Sequence, residues 1–192
     1  MIPFLTDAQV EEPKIRRVFL IQGSVCITAR PTLVTTVLGS CIAACLWDSI
    51  CGIGAMNHFV LPHTRGHERS ARYGDVAMER IVKGLLDLGC RLRDLRAKVF
   101  GGANVLPVGV NKMTIGAQNV DKAMEILKAY SIPVIAQHTG GRNGLFIRFN
   151  TSTGSVTLRR MSVDQDRKLP SGFDYGPPAR HFGEPSHNVG KG

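Results

Sequence analysis

Hydrophobic residues recur along this chain with two different periods. Short runs rich in Val, Ile, Ala and Phe, bounded by Gly, Pro, Asn or Ser, fall at 15–21, 25–29, 35–38, 42–47, 53–60, 95–100, 133–136, 145–150 and 156–161. Runs of that length and composition predict strands joined by short turns. Two other stretches follow a helical period. Over 75–88, Val76, Ile81, Val82, Leu85 and Leu86 share one stripe, Glu79, Arg80, Lys83 and Asp87 lie mainly off it, and Gly89 supplies a stop. After 115–119, the apolar positions Val120, Ala123, Met124 and Leu127 recur at helical spacing. Two helices and about eight strands predict an α/β layered domain. Residues 1–12 read as a loose leader, 13–163 as one domain, and 164–192, rich in Pro and Gly without periodicity, as a flexible tail.

The pair of strands at 42–47 and 53–60 flanks Asp48-Ser49-Ile50-Cys51-Gly52, where Gly52 can supply positive φ; this predicts a hairpin. A turn centred between Ser49 and Ile50 sets Cys41 opposite His58. A thiol beside an imidazole is the minimum for a thiolate nucleophile with its own base. The preceding Gly39-Ser40 reads as a tight turn that presents Cys41 and aims backbone N–H groups beside the sulfur, as an oxyanion hole requires. Thr35 or Thr36 can reach the far nitrogen of His58 and fix its tautomer. Gly39, Ser40 and Asn57 are expected to line the site. Cys41 as one more small buried packing residue is the competing reading, since most free cysteines are that.

Composition narrows the partners. The chain has 192 residues, 43% of them hydrophobic, and no apolar run near the ~20 residues of a membrane span. The N-terminus lacks the basic start and apolar core of a signal peptide, so a cytoplasmic location is expected. Cys26, Cys41, Cys45, Cys51 and Cys90 are odd in number and show no C-x-x-C spacing, which in a reducing compartment means free thiols. The net charge of +9 is spread in small groups (Arg91, Arg93, Arg96, Lys98; Arg159, Arg160) without interleaved aromatics. That pattern is a solvated basic face able to steer an acidic protein partner, not a nucleic-acid site.

Two further motifs invite chemistry and fail to hold it. His58, His63 and His67 form H-x4-H-x3-H, but they are split between strand and loop without a thiol or carboxylate to complete a metal set. The Pro-started segment 62–70 is better read as a loop at the mouth of the site. Gly101-Gly102-Ala103-Asn104 lacks the lysine and spacing of a phosphate loop, so close backbone packing is the better account. No metal and no cofactor are expected.

The segment G-S-C at 39–41, the run G-A-M-N-H-F-V-L-P at 54–62, R-Y-G-D-V-A-M-E-R-I at 72–81, K-V-F-G-G-A-N-V-L at 98–106 and I-P-V-I-A at 132–136 together resemble the CheD family of chemoreceptor glutamine deamidases of bacterial chemotaxis. The likeness spans roughly 14–160. It implies a three-layer α/β/α sandwich with a mixed, largely antiparallel sheet, and a Cys–His–Thr triad carried by Cys41, His58 and Thr35, with Thr36 adjacent. The implied substrate is a glutamine on the cytoplasmic region of a chemoreceptor, converted to glutamate through a thioester. Glutamate methyl esters fit the same path. A CheC-type phosphatase is an implied partner. The rival function is a non-catalytic adaptor that docks on chemoreceptors or on such a phosphatase. Gln118 stands where the family usually has Arg, and an acidic residue usual near His138 is missing; both departures bear on partner contacts more than on chemistry.

Overall fold

The structure is a computed structural model, and it describes residues 15–64, 66–104 and 113–161. The leader and tail expected at the two ends lie outside those residues. Among the described residues, nine strands and two helices follow one another as β1 (Arg16–Phe19), β2 (Ser24–Thr28), β3 (Thr32–Leu38), β4 (Ile42–Asp48), β5 (Ile53–His58), α1 (Gly74–Asp87), β6 (Leu95–Gly101), α2 (Ile115–Ala129), β7 (Val134–Thr139), β8 (Leu145–Asn150) and β9 (Val156–Arg160). A single 3-10 turn, Leu92–Asp94, leads into β6. No described helix is long and apolar enough to cross a membrane.

The strands form two sheets. One has the order β2-β5-β4-β6-β7, antiparallel except for the parallel β6–β7 pair that α2 connects. The other has the order β1-β3-β8-β9, with β1–β3 parallel and the rest antiparallel. The class is therefore α/β with mixed, largely antiparallel pairing, as the sequence led us to expect. The layer order is different from an α/β/α sandwich. Both helices pack on one face of the five-stranded sheet, and the four-stranded sheet occupies the other.

Strand β4 shows why. Its period-two alternation sends Ile42, Ala44 and Leu46 toward Ile81, Leu85 and Leu127 of the helices, while Ala43 and Cys45 meet Val34, Leu38, Ile147 and Phe149 of the other sheet. Being apolar on both faces, β4 needs a cover on each, and β3 and β8 supply the second. The two helices are bounded as their sequences suggest. At the end of α1, Gly89 takes φ +91 and the Cys90 N–H returns to Leu85 O, while Thr114 caps α2 by accepting from Ala117 N at 3.1 Å.

The hairpin between β4 and β5 closes one residue further along than expected. Asp48 pairs with Ile53, its Oδ1 accepts from the N–H groups of Ile50 and Cys51, and Gly52 sits at φ +65. With Cys45 opposite Met56 and Ile42 bridging Phe59, the residue opposite Cys41 is Val60 and not His58. The slip in register is two residues. An even slip preserves the face, so His58 remains on the Cys41 side of the sheet as its diagonal neighbour.

Candidate active site

The chain passes from one sheet to the other at Gly39, Ser40 and Cys41, between the end of β3 and the start of β4. Cys41 therefore sits in the crossover itself, on the side facing the gap between the sheets, where it packs with Leu38, Ala43 and Leu145. His58 ends β5 on the same side and is buried. Across the gap, β3 alternates so that Val34, Thr36 and Leu38 point inward. Thr36 Oγ1 lies 2.8 Å from His58 Nδ1.

That alternation corrects the residue expected to orient the imidazole. Thr35 points to the opposite face of β3, and its Oγ1 is buried without a hydrogen-bond partner. Asn57 is corrected on the same ground: one residue before His58, it faces the helices. Its Oδ1 accepts from Ala44 N at 2.8 Å and its Nδ2 contacts Met78 Sδ at 3.1 Å. It locks β4 to β5 from the far side of the sheet and does not line the site.

The hydrogen bonds around Thr36 fix a tautomer. The Thr36 hydroxyl donates to Leu20 O at 2.6 Å, so its single proton is spent there. Toward His58 the same oxygen accepts, which places the imidazole proton on Nδ1 and leaves Nε2 as a bare lone pair. Nε2 is buried and has no hydrogen-bond partner. Leu20 is held in turn by its N–H to Thr35 O at 2.7 Å, so the β1 exit serves as the outer support of the imidazole.

Electrostatics keep the resting pair neutral. Burial pushes the His58 imidazolium down to about 4, only partly offset by Leu20 O. Burial also raises the Cys41 thiol, against a lowering pull from its own backbone N–H. A neutral imidazole and a neutral thiol on the same face of the sheet are a base and an acid without a preformed ion pair.

The crossover is pinned at every residue. Ala103 N donates to Gly39 O at 2.8 Å, Gly102 N to Cys41 O at 2.9 Å, and Asn119 Nδ2 to Ser40 O at 3.0 Å. The glycine turn at 101–102 thus serves close backbone packing. A Cβ on Gly101 would stand 2.2 Å from Cys41 O, and one on Gly116 of α2 2.4 Å from Gly102 O. Among the described residues, no group of three or more His, Cys, Asp or Glu is arranged to hold a metal ion. The free cysteines Cys26, Cys45 and Cys90 are partly or fully buried in apolar clusters, and Cys51 is exposed at the hairpin turn.

Sequence reasoning missed Asn119. A signal was present: it is a polar residue on the buried stripe of α2, in line with Gly116, Ala123 and Leu127. A buried amide in such a stripe demands partners, and backbone carbonyls of irregular segments are the usual ones.

The CheD chemotactic sensory transduction family model matches residues 60–160. The probable chemoreceptor glutamine deamidase CheD of Rhodospirillum rubrum is 52% identical over 141 residues, which cover 73% of this chain and 80% of that protein. The protein of the same name from Trichlorobacter lovleyi is 46% identical over 147 residues, 76% of this chain and 91% of its own length. That of Agrobacterium fabrum is 42% identical over 161 residues, 82% and 87% of the two chains. A solved structure of Bacillus licheniformis hypothetical protein YfiH aligns with a TM-score of 0.44 and 13% identity, over 70% of this chain and 62% of that one, too remote to bear on the site. With identity at this level sustained across most of both sequences, the chain belongs to the CheD family.

Proposed function

We propose that this protein is a chemoreceptor glutamine deamidase acting in bacterial chemotaxis, with Cys41 as nucleophile, His58 as general base and acid, and Thr36 as the group that orients His58. The observation that carries the reading is the Thr36–His58 hydrogen bond, which commits Nδ1 and leaves Nε2 bare on the face that holds Cys41. The names of the relatives support the substrate, a glutamine side chain on a chemoreceptor.

The chemistry follows from the protonation states. A thiol raised by burial is a weak nucleophile until its proton leaves, and His58 Nε2 accepts that proton as the sulfur attacks the carboxamide carbon. The carbonyl oxygen takes up negative charge and is met by the backbone N–H of Cys41. The imidazolium, stabilised only while Thr36 accepts from Nδ1–H, gives its new proton to the departing ammonia. A glutamyl thioester remains. Water, deprotonated by the again neutral His58, hydrolyses it to glutamate and restores the thiol. A glutamate methyl ester enters the same route with methanol leaving. The reaction uses no metal or cofactor, and it takes place in the cytoplasm, where receptor signalling regions and a CheC-type phosphatase partner are reached.

A non-catalytic adaptor on the same surfaces has no use for a buried unpaired imidazole nitrogen, which is costly to maintain. Incubation with a receptor cytoplasmic fragment, read by peptide mass spectrometry, tests the proposal. Deamidation adds ~1 Da at specific glutamines, the difference between an amide and an acid after hydrolysis. Wild-type protein that binds the fragment but leaves every glutamine intact is the result that overturns it.

A further inference from the structure

Asn119 closes a bracket around Cys41 from outside the triad. Both hydrogens of its amide are used: Nδ2 donates to Ser40 O at 3.0 Å and to Val60 O at 2.8 Å. Ser40 precedes Cys41 in the crossover, and Val60 is the residue facing Cys41 when the Ile42–Phe59 bridge is extended by one step. One fully buried side chain therefore joins the two strands at the level of the nucleophile. Its Oδ1 is buried with no partner, so the amide is oriented by its two donor contacts alone.

The reach of Asn119 depends on how tightly α2 is seated. Gly116, one turn earlier on the same stripe, lets Gly102 O approach to a distance that no Cβ would tolerate. With the helix pressed onto the 101–102 turn, its fifth residue arrives at the crossover.

The peptide unit between Ser40 and Cys41 is planar, with C=O and N–H pointing in opposite directions. Holding Ser40 O on one side fixes the direction of Cys41 N–H on the other. That N–H lies toward its own sulfur, where the oxygen of an attacked carbonyl must come to rest. Resting on the deamidase reading for its biological substrate, but not for its geometry, we infer that Asn119 is a positioning residue for the oxyanion site: by clamping Ser40 O and Val60 O it aims the Cys41 N–H at the oxygen of the tetrahedral intermediate.

Two reactions of the same sulfur separate this role from a general structural one. Acylation by p-nitrophenyl acetate passes through an oxyanion: the thiolate adds to the ester carbonyl, the C–O bond to p-nitrophenolate breaks, and an acetyl thioester is left. Alkylation by iodoacetamide displaces iodide at a saturated carbon and forms no oxyanion. In Asn119→Ala, acylation of Cys41 at pH 8, followed by peptide-resolved mass spectrometry at short quench times, is expected to fall about 100-fold, the scale for losing one oxyanion donor. Alkylation of Cys41 is expected to stay within about twofold, because thiol, imidazole and Thr36 are untouched. If the alanine variant does not fold, Asn119→Ser, which keeps a donor in a smaller side chain, is read on the same two probes, with the ratio of acylation to alkylation again falling.

Equal loss of both reactions means that Asn119 merely holds Cys41 in place, and no loss in either means that the amide does not matter; both overturn the inference. Neither probe needs a receptor. Failure of wild-type protein to deamidate receptor glutamines therefore sinks the functional proposal alone, whereas an unchanged probe ratio sinks the role of Asn119 alone.

Discussion

Thr36 Oγ1 of one sheet and His58 Nδ1 of the other lie 2.8 Å apart and share a hydrogen bond. The neighbouring Thr35 is turned away from the imidazole. The pair of substitutions is therefore discriminating. Thr36→Ala is expected to lower deamidation on the order of 10-fold or more, since it frees the imidazole to rotate and to carry its proton on the wrong nitrogen. Thr35→Ala is expected to stay near wild type. Rates measured on one receptor fragment decide it, and the reverse order of effects would return the orienting role to Thr35.

Cys41→Ala removes the atom that forms the thioester and is expected to abolish deamidation. His58→Ala leaves the sulfur but removes base and acid together, with a loss of about 100- to 10,000-fold. Acid-quenched mass spectrometry should trap a thioester adduct on Cys41 of the wild type and none on Cys41→Ala. Residual wild-type turnover in Cys41→Ala would mean the nucleophile lies elsewhere.

Reactivity should reflect the neutral resting pair. Burial raises the Cys41 thiol, and His58 carries no proton at neutral pH to counter it. The alkylation rate of Cys41 should therefore keep climbing as pH rises past 8, with no plateau below pH 7. It should still exceed that of Cys26 and Cys90, whose thiols burial pushes up to about 11 and about 12. A plateau that begins below neutrality would indicate a standing ion pair.

Acid stability carries the mark of the same histidine. In the unfolded chain His58 takes a proton near 6.5, whereas the folded protein holds it neutral down to about 4. Between those values the unfolded state binds the additional proton, so this contribution is complete above pH 6.5 and is lost as the pH falls toward 4. Its full size is roughly 3 kcal/mol from the spacing of the two values. Urea titrations at pH 7.5, 6 and 4.5 should show a steeper decline for wild type than for His58→Gln. Parallel curves would contradict the buried neutral imidazole.

Steric contacts at the crossover give a contrast between glycines. Gly116→Ala places a methyl 2.4 Å from Gly102 O, so α2 must lift from the turn that holds Cys41. A loss of more than ~2 kcal/mol is expected, with activity falling further than stability. Gly140→Ala, at φ +77 but with nothing near its Cβ, should cost only ~1 kcal/mol of backbone strain and spare activity. Thermal melts with paired rate measurements compare the two.

The sequence disclosed most of this architecture because its signals are local. Apolar runs on either side of a turn marked β4 and β5, the apolar stripe and Gly89 bounded α1, and Gly101-Gly102 read correctly as close packing. Details that depend on tertiary placement were hidden. The hairpin register turned on Asp48 folding its carboxylate over Ile50 and Cys51, a side-chain choice that composition does not dictate. Choosing between Thr35 and Thr36 required knowing which face of β3 meets the other sheet, since either parity is compatible with a strand having buried residues on both faces. The same ignorance of facing misplaced Asn57, and the second sheet as third layer followed from pairings between β3 and β8 that are far apart in sequence.

The crossover at Gly39, Ser40 and Cys41 also sets a schedule for biosynthesis. Strands β3, β4 and β5 leave the ribosome early, so Cys41 and His58 are translated within one short interval. The strand that pairs with β3 along its length, β8, is made more than a hundred residues after it, and loop-closure entropy delays so distant a pairing. Until β8 docks, Thr36 has no completed sheet to hold it against His58. A nascent or truncated chain thus carries the thiol and the imidazole without the geometry that holds the imidazole in place, and that geometry arrives only once β8 has been synthesised.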